Sequence, residues 1–269
     1  MTATDKLFAG SIPEIYNRLL VPLLFEPYAR DLAGRIAQVK PKDVLETAAG
    51  TGVLTRAMLS QLPIQTRIVA TDLNQPMLDH AATKQSHPDR VTWQQADALA
   101  LPFDREFDVV ACQFGAMFFP DKIKGYSEAR RVLKPGGHFF FNVWGRISNN
   151  EFADVVTQAL GALFPQDPPM FMARTPHGYH DLGKIRGELS AAGFTNISAE
   201  TVDHRSKAAS PRDVAVAYCQ GTPLRNEIET RDASLLEKAT EITADALAQR
   251  FGDGPVDGLI RAHVFTATN

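Results

Sequence analysis

Cysteine is nearly absent from this chain, with 2 in 269 residues. Cys112 and Cys219 stand far apart and no histidine lies at metal-ligand spacing from either, so the sequence encodes neither a disulfide scaffold nor a zinc cluster. No metal site is expected, and both thiols read as small buried hydrophobes. An excess of one charge is missing too. With 28 Lys+Arg against 31 Asp+Glu the net charge is −3, and the densest basic group, Arg130, Arg131 and Lys134, falls where a helix should end and cations offset its dipole. A nucleic-acid partner is not expected, because phosphate binding needs a concentrated cationic surface. Long hydrophobic runs are also lacking. Asp5, Lys6, Glu14 and Arg18 interrupt the first twenty residues, and Pro22 breaks the run from Leu19 to Phe25. Neither a signal peptide nor membrane insertion is expected, and a cytoplasmic location follows as the expectation. Finally, no G-x-G-x-x-G dinucleotide fingerprint is present.

What is present is an ordinary globular composition, 44% hydrophobic, long enough to bury roughly 70–75% of the unfolded chain's surface in a core. From Lys42 to Trp144 the apolar runs DVLET, RIVATD, VTWQQAD, FDVVACQF and HFFFNVW alternate with TGVLTRAMLSQL, QPMLDHAATKQ and DKIKGYSEARRVLK. These last three carry apolar residues at three-to-four spacing. That alternation predicts an α/β fold, a mostly parallel sheet with helices on both faces. Before it, PYARDLAGRIAQVK places Ala29, Leu32, Ala33, Ile36 and Ala37 on one helical face. After it, residues 145–180 are rich in Pro, Phe and Met and read as a mobile segment over a cleft. DLGKIRGELSAAGF reads as a helix closed by Gly193. TNISAETVDH and VDGLIRAHVFTATN read as strands, with helices from Pro211 to Gln220 and from Ala233 to Phe251 between them.

The segment VLETAAGTG, residues 44–52, runs from a strand through a glycine loop into a helix, the usual place for a nucleotide-like ligand in an open parallel sheet. Gly50 and Gly52 are expected to let backbone approach that ligand. Glu46 stands where a pyrophosphate would have to come close, and a carboxylate repels phosphate. It suits a ligand bringing an ammonium or a sulfonium, and S-adenosylmethionine brings both. The second strand ends in Asp72, whose two oxygens can accept both hydroxyls of a ribose, leaving Asn74 to cap the next helix. The third ends in Asp97 and Ala98, where a carboxylate can accept from an adenine amino group.

These segments together resemble the class I S-adenosylmethionine-dependent methyltransferases, in particular the type-11 group that includes ubiquinone/menaquinone-biosynthesis-like enzymes. VLETAAGTG resembles the family's glycine motif, VATDLNQPML its ribose motif and QADALALPF its adenine motif. FDVVACQFGAMFFPD is similar to the fourth-strand motif and RRVLKPGGHFFF to the turn into the fifth strand. The resemblance implies S-adenosylmethionine as cofactor, with Glu46, Thr47 and the Ala48–Gly52 loop facing its methionine part, Asp72 on the ribose and Leu73 and Met77 on the adenine. It further puts Asp97 and Ala98 at the adenine edge, Gln113 beside the methionine amino group and Tyr16 as a ring against the bound cofactor. Ala48 replaces a family glycine, and its methyl group is expected to displace the ligand slightly.

The family fold implies a Rossmann-like seven-stranded sheet whose last strand runs antiparallel between the fifth and sixth. One domain is then expected, with an N-terminal helical lid over 1–41, a cofactor-binding half over 42–144 and a substrate-shaping half over 145–269 containing insertions 145–180 and 206–256. An apolar wall of Phe114, Met117, Phe118 and Phe119 predicts a small, partly apolar acceptor, with Trp144 and Arg146 as further substrate residues. His177, Tyr179 and His180 are the candidate bases if the acceptor must lose a proton. Two other readings remain at this point. One is a protein that binds S-adenosylmethionine or S-adenosylhomocysteine without methyl transfer, and the other is a nicotinamide-dependent oxidoreductase, which Glu46 and the missing fingerprint disfavour.

Overall fold

The structure is a computed structural model describing residues 12–84, 87–104 and 106–269. The first eleven residues of the expected lid and the end of the helix read over 75–85 lie outside the described residues. Seven strands are formed: β1 (Asp43–Glu46), β2 (Arg67–Asp72), β3 (Val91–Gln95), β4 (Phe107–Gln113), β5 (Leu133–Trp144), β6 (Thr195–Ala208) and β7 (Val256–Thr268). They pair in the order β3-β2-β1-β4-β5-β7-β6. β3, β2, β1, β4 and β5 are mutually parallel, with Glu46 in register with Ala70 and Ala111, Asp72 with Gln95, and Gln113 with Asn142. β7 inverts the direction. Gly136 donates to the Asn269 carbonyl at 3.1 Å and Gly145 to the Arg261 carbonyl at 2.8 Å, so numbers rise along β5 as they fall along β7. The same inversion relates β7 to β6, where Thr195 donates to the Thr268 carbonyl and Thr201 meets His263. Position and direction of the last strand are thus as expected.

The chain divides into two units. One consists of Glu26–Val143, His180–Val202 and Ala262–Asn269. Its helices are α2 (Glu26–Gln38), α3 (Val53–Gln61), α4 (Gln75–Thr83), α5 (Lys122–Val132) and α8 (Leu182–Ala191), where α1 (Ile12–Ile15), α6 (Glu151–Leu163) and α7 (Phe171–Arg174) belong to the other unit. Ala29, Leu32, Ala33 and Ile36 of α2 and Leu54 and Met58 of α3 bury against Val44, Ile68, Val109, Ala111 and Phe140 on one sheet face. On the opposite face Tyr126 of α5 meets Phe139 and Phe141, and Phe141 stacks on Phe265 at 4.9 Å. Strands covered on both sides need apolar residues at most positions, which is why the runs read in the sequence are nearly continuous. Asp121 caps α5 by accepting from the Lys124 N–H, and Asp181 caps α8 by accepting from the Lys184 N–H. Of the residues read as an N-terminal lid, Glu26–Gln38 are built into this core.

The second unit holds Met1–Phe25, described from Ile12, with Trp144–Tyr179 and Asp203–Arg261. It contains α1, a π-helical stretch Tyr16–Phe25, α6, α7, α9 (Pro211–Gln220), α10 (Leu224–Asp232) and α11 (Leu236–Phe251). The segment 145–180 is a correction. Read as a mobile segment, it is largely helical, because Phe152, Val155, Val156, Ala159 and Leu160 form a buried stripe at helical spacing. Phe152 meets Phe251 of α11 edge-on at 5.0 Å, and Glu151 accepts from Arg250 and from the Leu259 N–H. α10 is also unforeseen. Its sequence LRNEIETRD is polar nearly throughout and buries only Leu224 and Ile228, so the helical period rests on a single i, i+4 pair.

Candidate cofactor and acceptor site

The parallel register lines up the carboxyl ends of β1, β2 and β4, and the loop leaving β1 is tied to both neighbours. Thr47 donates its N–H to the Ala111 carbonyl at 2.8 Å and Ala49 to the Thr71 carbonyl at 2.9 Å. The loop coils because Ala48 (φ 54), Gly50 (φ 56) and Gly52 (φ 78) all take left-handed backbone. The two glycines serve different ends. A Cβ on Gly50 would meet only Met77 Cε, at 4.0 Å, so the space there is open to a ligand. A Cβ on Gly52 would lie 2.8 Å from the Trp93 ring and 3.2 Å from Ala81, so its bareness serves packing of the protein on itself. Ligand approach was expected of both; protein atoms leave space for it beside Gly50 and crowd Gly52.

Ala48 corrects a second expectation. Its Cβ would stand 2.4 Å from a Cβ on Gly115, which shows that the methyl group is directed at Gly115, where glycine leaves room for it. The departure from the family's glycine is absorbed within the protein, with no displacement of a ligand required.

Glu46 ends β1 fully buried and accepts the Thr55 hydroxyl at 2.5 Å. Burial pushes its carboxyl up to about 8, against the pull of the Thr55 hydrogen bond and of Arg56, while Asp72 adds to the rise. Arg56 donates to the Thr51 carbonyl at 2.6 Å. Burial likewise raises Asp72, opposed by hydrogen bonds from Asn74 and Gly50. Both Asp72 oxygens are engaged: one accepts the Gly50 N–H at 2.8 Å and the other accepts the Asn74 N–H at 2.8 Å and its side-chain amide at 3.3 Å. Asn74 occupies the N-cap position of α4 without capping it through its side chain, contrary to the role expected of it. A carboxylate has about four acceptor positions, so Asp72 braces the loop and still has lone pairs for ribose hydroxyls.

Leu73, next to Asp72, is 44% exposed, whereas Met77 is buried. Asp97 is exposed and one of its oxygens accepts the Leu99 N–H at 2.9 Å, closing a turn through half-buried Ala98. Gln113 is buried at the end of β4. Phe114 follows it in left-handed backbone (φ 51), unusual for a bulky residue, with its ring edge-on to Tyr28 at 5.4 Å. Phe118 is half-buried. Phe119, expected on the apolar wall, lies against Gly125 of α5. Among the described residues no cluster could hold a metal ion, and no helix is long and apolar enough to cross a membrane.

Tyr16, Trp144, Arg146, His177 and Tyr179 belong to the other unit. There the rings of Tyr16 and Phe25 stack at 5.1 Å, Phe25 lies 5.9 Å from Trp144, and Trp144 lies 6.0 Å from His177. His177 is buried with Nδ1 2.9 Å from the Gly145 carbonyl oxygen, which can only accept, so Nδ1 carries the proton. Tyr179 is buried, and Arg146 is exposed. His180, half-buried, falls in the unit of the glycine loop.

Thr55 and Asn142 were missed in the sequence, and Thr51 entered only as part of the glycine loop. Thr55 holds Glu46, and the Thr51 hydroxyl is buried without a partner among the described residues. The open face at Gly50, the orphaned Thr51 hydroxyl and the buried Glu46 carboxyl fit a ligand that brings both hydrogen-bond acceptors and positive charge, as S-adenosylmethionine does.

A family model described as a methyltransferase domain matches residues 44–137. The ubiquinone/menaquinone biosynthesis C-methyltransferase UbiE of Serratia proteamaculans is 30% identical over 168 residues, which are 58% of this chain and 67% of that protein. A demethylmenaquinone methyltransferase of Clavibacter sepedonicus is 38% identical over 103 residues, 38% of this chain and only 41% of that protein. Among solved structures, phosphoethanolamine N-methyltransferase 2 of Haemonchus contortus, bound to S-adenosylhomocysteine, superposes with a TM-score of 0.60 at 18% identity, over all of this chain and 61% of that one. Its likeness is one of fold. The chain belongs to the class I S-adenosylmethionine-dependent methyltransferases, in their type-11 group.

Proposed function

We propose that this enzyme methylates a small, partly apolar molecule and that a quinol ring is the first acceptor to test. The observation that carries the cofactor half of this reading is the pairing, at one sheet edge, of a loop open at Gly50 with the buried carboxyls of Glu46 and Asp72. Ionised Glu46 answers the positive methionine end, together with Thr47, the Ala48–Gly52 loop and Gln113. Asp72 accepts from the ribose, Leu73 and Met77 cover the adenine, and Asp97 with Ala98 reads its edge. The cofactor supplies a methyl group on a sulfonium, and in-line transfer neutralises that charge. The protein's part is to align, enclose and desolvate.

For the acceptor, Phe114 and Phe118, which follow Gln113 in the chain, supply the aromatic side chains of this reading. The names of the Serratia and Clavibacter relatives, which specify ubiquinone, menaquinone and demethylmenaquinone, favour a ring with oxygen substituents. Family membership sets aside the oxidoreductase reading. The test is transfer of tritium from S-adenosyl-[methyl-³H]methionine to a panel of reduced demethylmenaquinone, simple phenols, amines and thiols. Turnover of the quinol above the others supports the reading. Turnover confined to a polar amine or to macromolecules in an extract defeats it.

A further inference from the structure

We propose that Asn142 is a binding residue for the methyl acceptor, its side-chain amide donating to an oxygen of that acceptor. This rests on the preceding reading of an oxygen-bearing acceptor. Asn142 is the one polar side chain in the run Phe139 to Trp144 of β5, and it is fully buried. It is in register with Gln113, so the two side chains share one sheet face at the carboxyl ends of β4 and β5. Its Oδ1 accepts the Phe114 N–H at 3.0 Å. That bond fixes the amide: turned the other way, two donors would face each other. The opposite end, Nδ2, has no partner among the described residues.

A buried NH2 without an acceptor is costly to keep in an apolar strand, and the apolar side chains around it could replace it without loss of strand character. A ligand oxygen removes the penalty. The position narrows the ligand. Glu46 and the glycine loop sit on β1, whereas Asn142 lies two strands away, beyond β4. It adjoins Phe114, the residue in left-handed backbone whose N–H this same side chain accepts. Gln113, proposed at the methionine end, lies between Asn142 and the glycine loop, so the acceptor is the group expected on its far side.

The test uses Asn142→Ala in the full chain. The main-chain carbonyl of Asn142 also accepts the Phe114 N–H, at 3.2 Å, so that donor keeps a partner in the variant. Asn142→Thr, which retains a donor and suits a strand, is the second variant and carries the test if the alanine protein does not fold. The acceptor used is whichever panel compound the wild-type enzyme turns over fastest. Expected for Asn142→Ala is a rise of about tenfold or more in acceptor KM, with S-adenosylhomocysteine Kd changed less than about twofold, and partial recovery in Asn142→Thr. An unchanged acceptor KM would mean that Nδ2 meets only a trapped water, and a loss in cofactor affinity alone would mean that it serves the cofactor. Either result overturns the proposal. If the fastest acceptor is not the quinol, the ring reading fails by itself, while Asn142 still stands or falls on its KM with that compound.

Discussion

Cofactor binding should release a proton from Glu46. The carboxyl is fully buried and pushed up to about 8, with burial as the largest cause, so at pH 7 the ligand-free protein holds it neutral in about nine molecules of ten. The proposed pairing with the positive methionine end requires the ionised form. Binding at pH 7 must therefore include a deprotonation costing about 1.4 kcal/mol, a factor of about ten in Kd, and roughly another tenfold for each further unit of acidification until the complex itself takes up a proton. The folding consequence has the opposite sense. A carboxyl with a raised folded-state pKa favours the folded state below its unfolded value of 4.5 and loses that advantage as pH rises to about 8, so the ligand-free protein should weaken over this window while cofactor affinity improves. Isothermal titration of S-adenosylhomocysteine at pH 7 in two buffers of different ionisation heat counts the proton directly. Close to one is expected from the wild type and close to none from Glu46→Gln, whose profile also subtracts the ligand's own titration. No proton release, or a Glu46→Gln protein that binds as tightly with the same pH dependence, would refute the reasoning.

Other outcomes follow from the same loop. Gly115→Ala should cost about 1–3 kcal/mol of stability by urea denaturation, because its new methyl meets those of Ala48 and Cys112 Sγ. Adding Ala48→Gly should recover part of the loss, leaving the Cys112 contact, and an additive double variant would show that the two positions are uncoupled. Asp72→Ala should lose about 1–3 kcal/mol of cofactor affinity and also speed hydrogen exchange at the Gly50 and Asn74 amides in the ligand-free protein, since the carboxylate holds both. Exchange unchanged at those amides would remove the bracing role. His177→Ala should lower the unfolding midpoint through the lost bond to Gly145. A large drop in turnover at an unchanged midpoint would instead make His177 catalytic.

The parts of the fold that could be read from the sequence are those where one physical demand acts on every residue of a segment. β1, β2, β4 and β5 are covered on both faces, so their runs are nearly continuously apolar and stood out, with ends close to those read for β1, β2 and β4, whereas β5 begins at Leu133, ahead of the run read from His138. The helix α6 was obscured because the Pro and Met of residues 164–172 dominated the composition of the whole stretch, although Phe152, Val156 and Leu160 alone carried the helical period. For α10 the period reduces to one pair, Leu224 and Ile228. At the site, the strand-end acids Glu46, Asp72 and Asp97 were visible because a carboxylate at such a position is conspicuous against apolar neighbours.

Asn142 is just as conspicuous within FFFNVW, but its role is not legible there, for a reason that applies to Thr55 as well. A neutral polar residue in a buried run has two opposite explanations, satisfied by the protein or left for a ligand, and sequence spacing does not separate them. Only the hydrogen bonds made in the fold do. Thr55 resolves one way, spent on Glu46, whereas Asn142 resolves the other, with one end of its amide committed to Phe114 and the other end open. Ala48 makes the same point for backbone. Its substitution for glycine suggested a perturbed ligand until the bare Cα of Gly115, 67 positions later, was found opposite its methyl group. Departures from a family motif are thus interpretable only with the residue that faces them, and in a parallel sheet that residue sits on the next strand's end, far away in sequence.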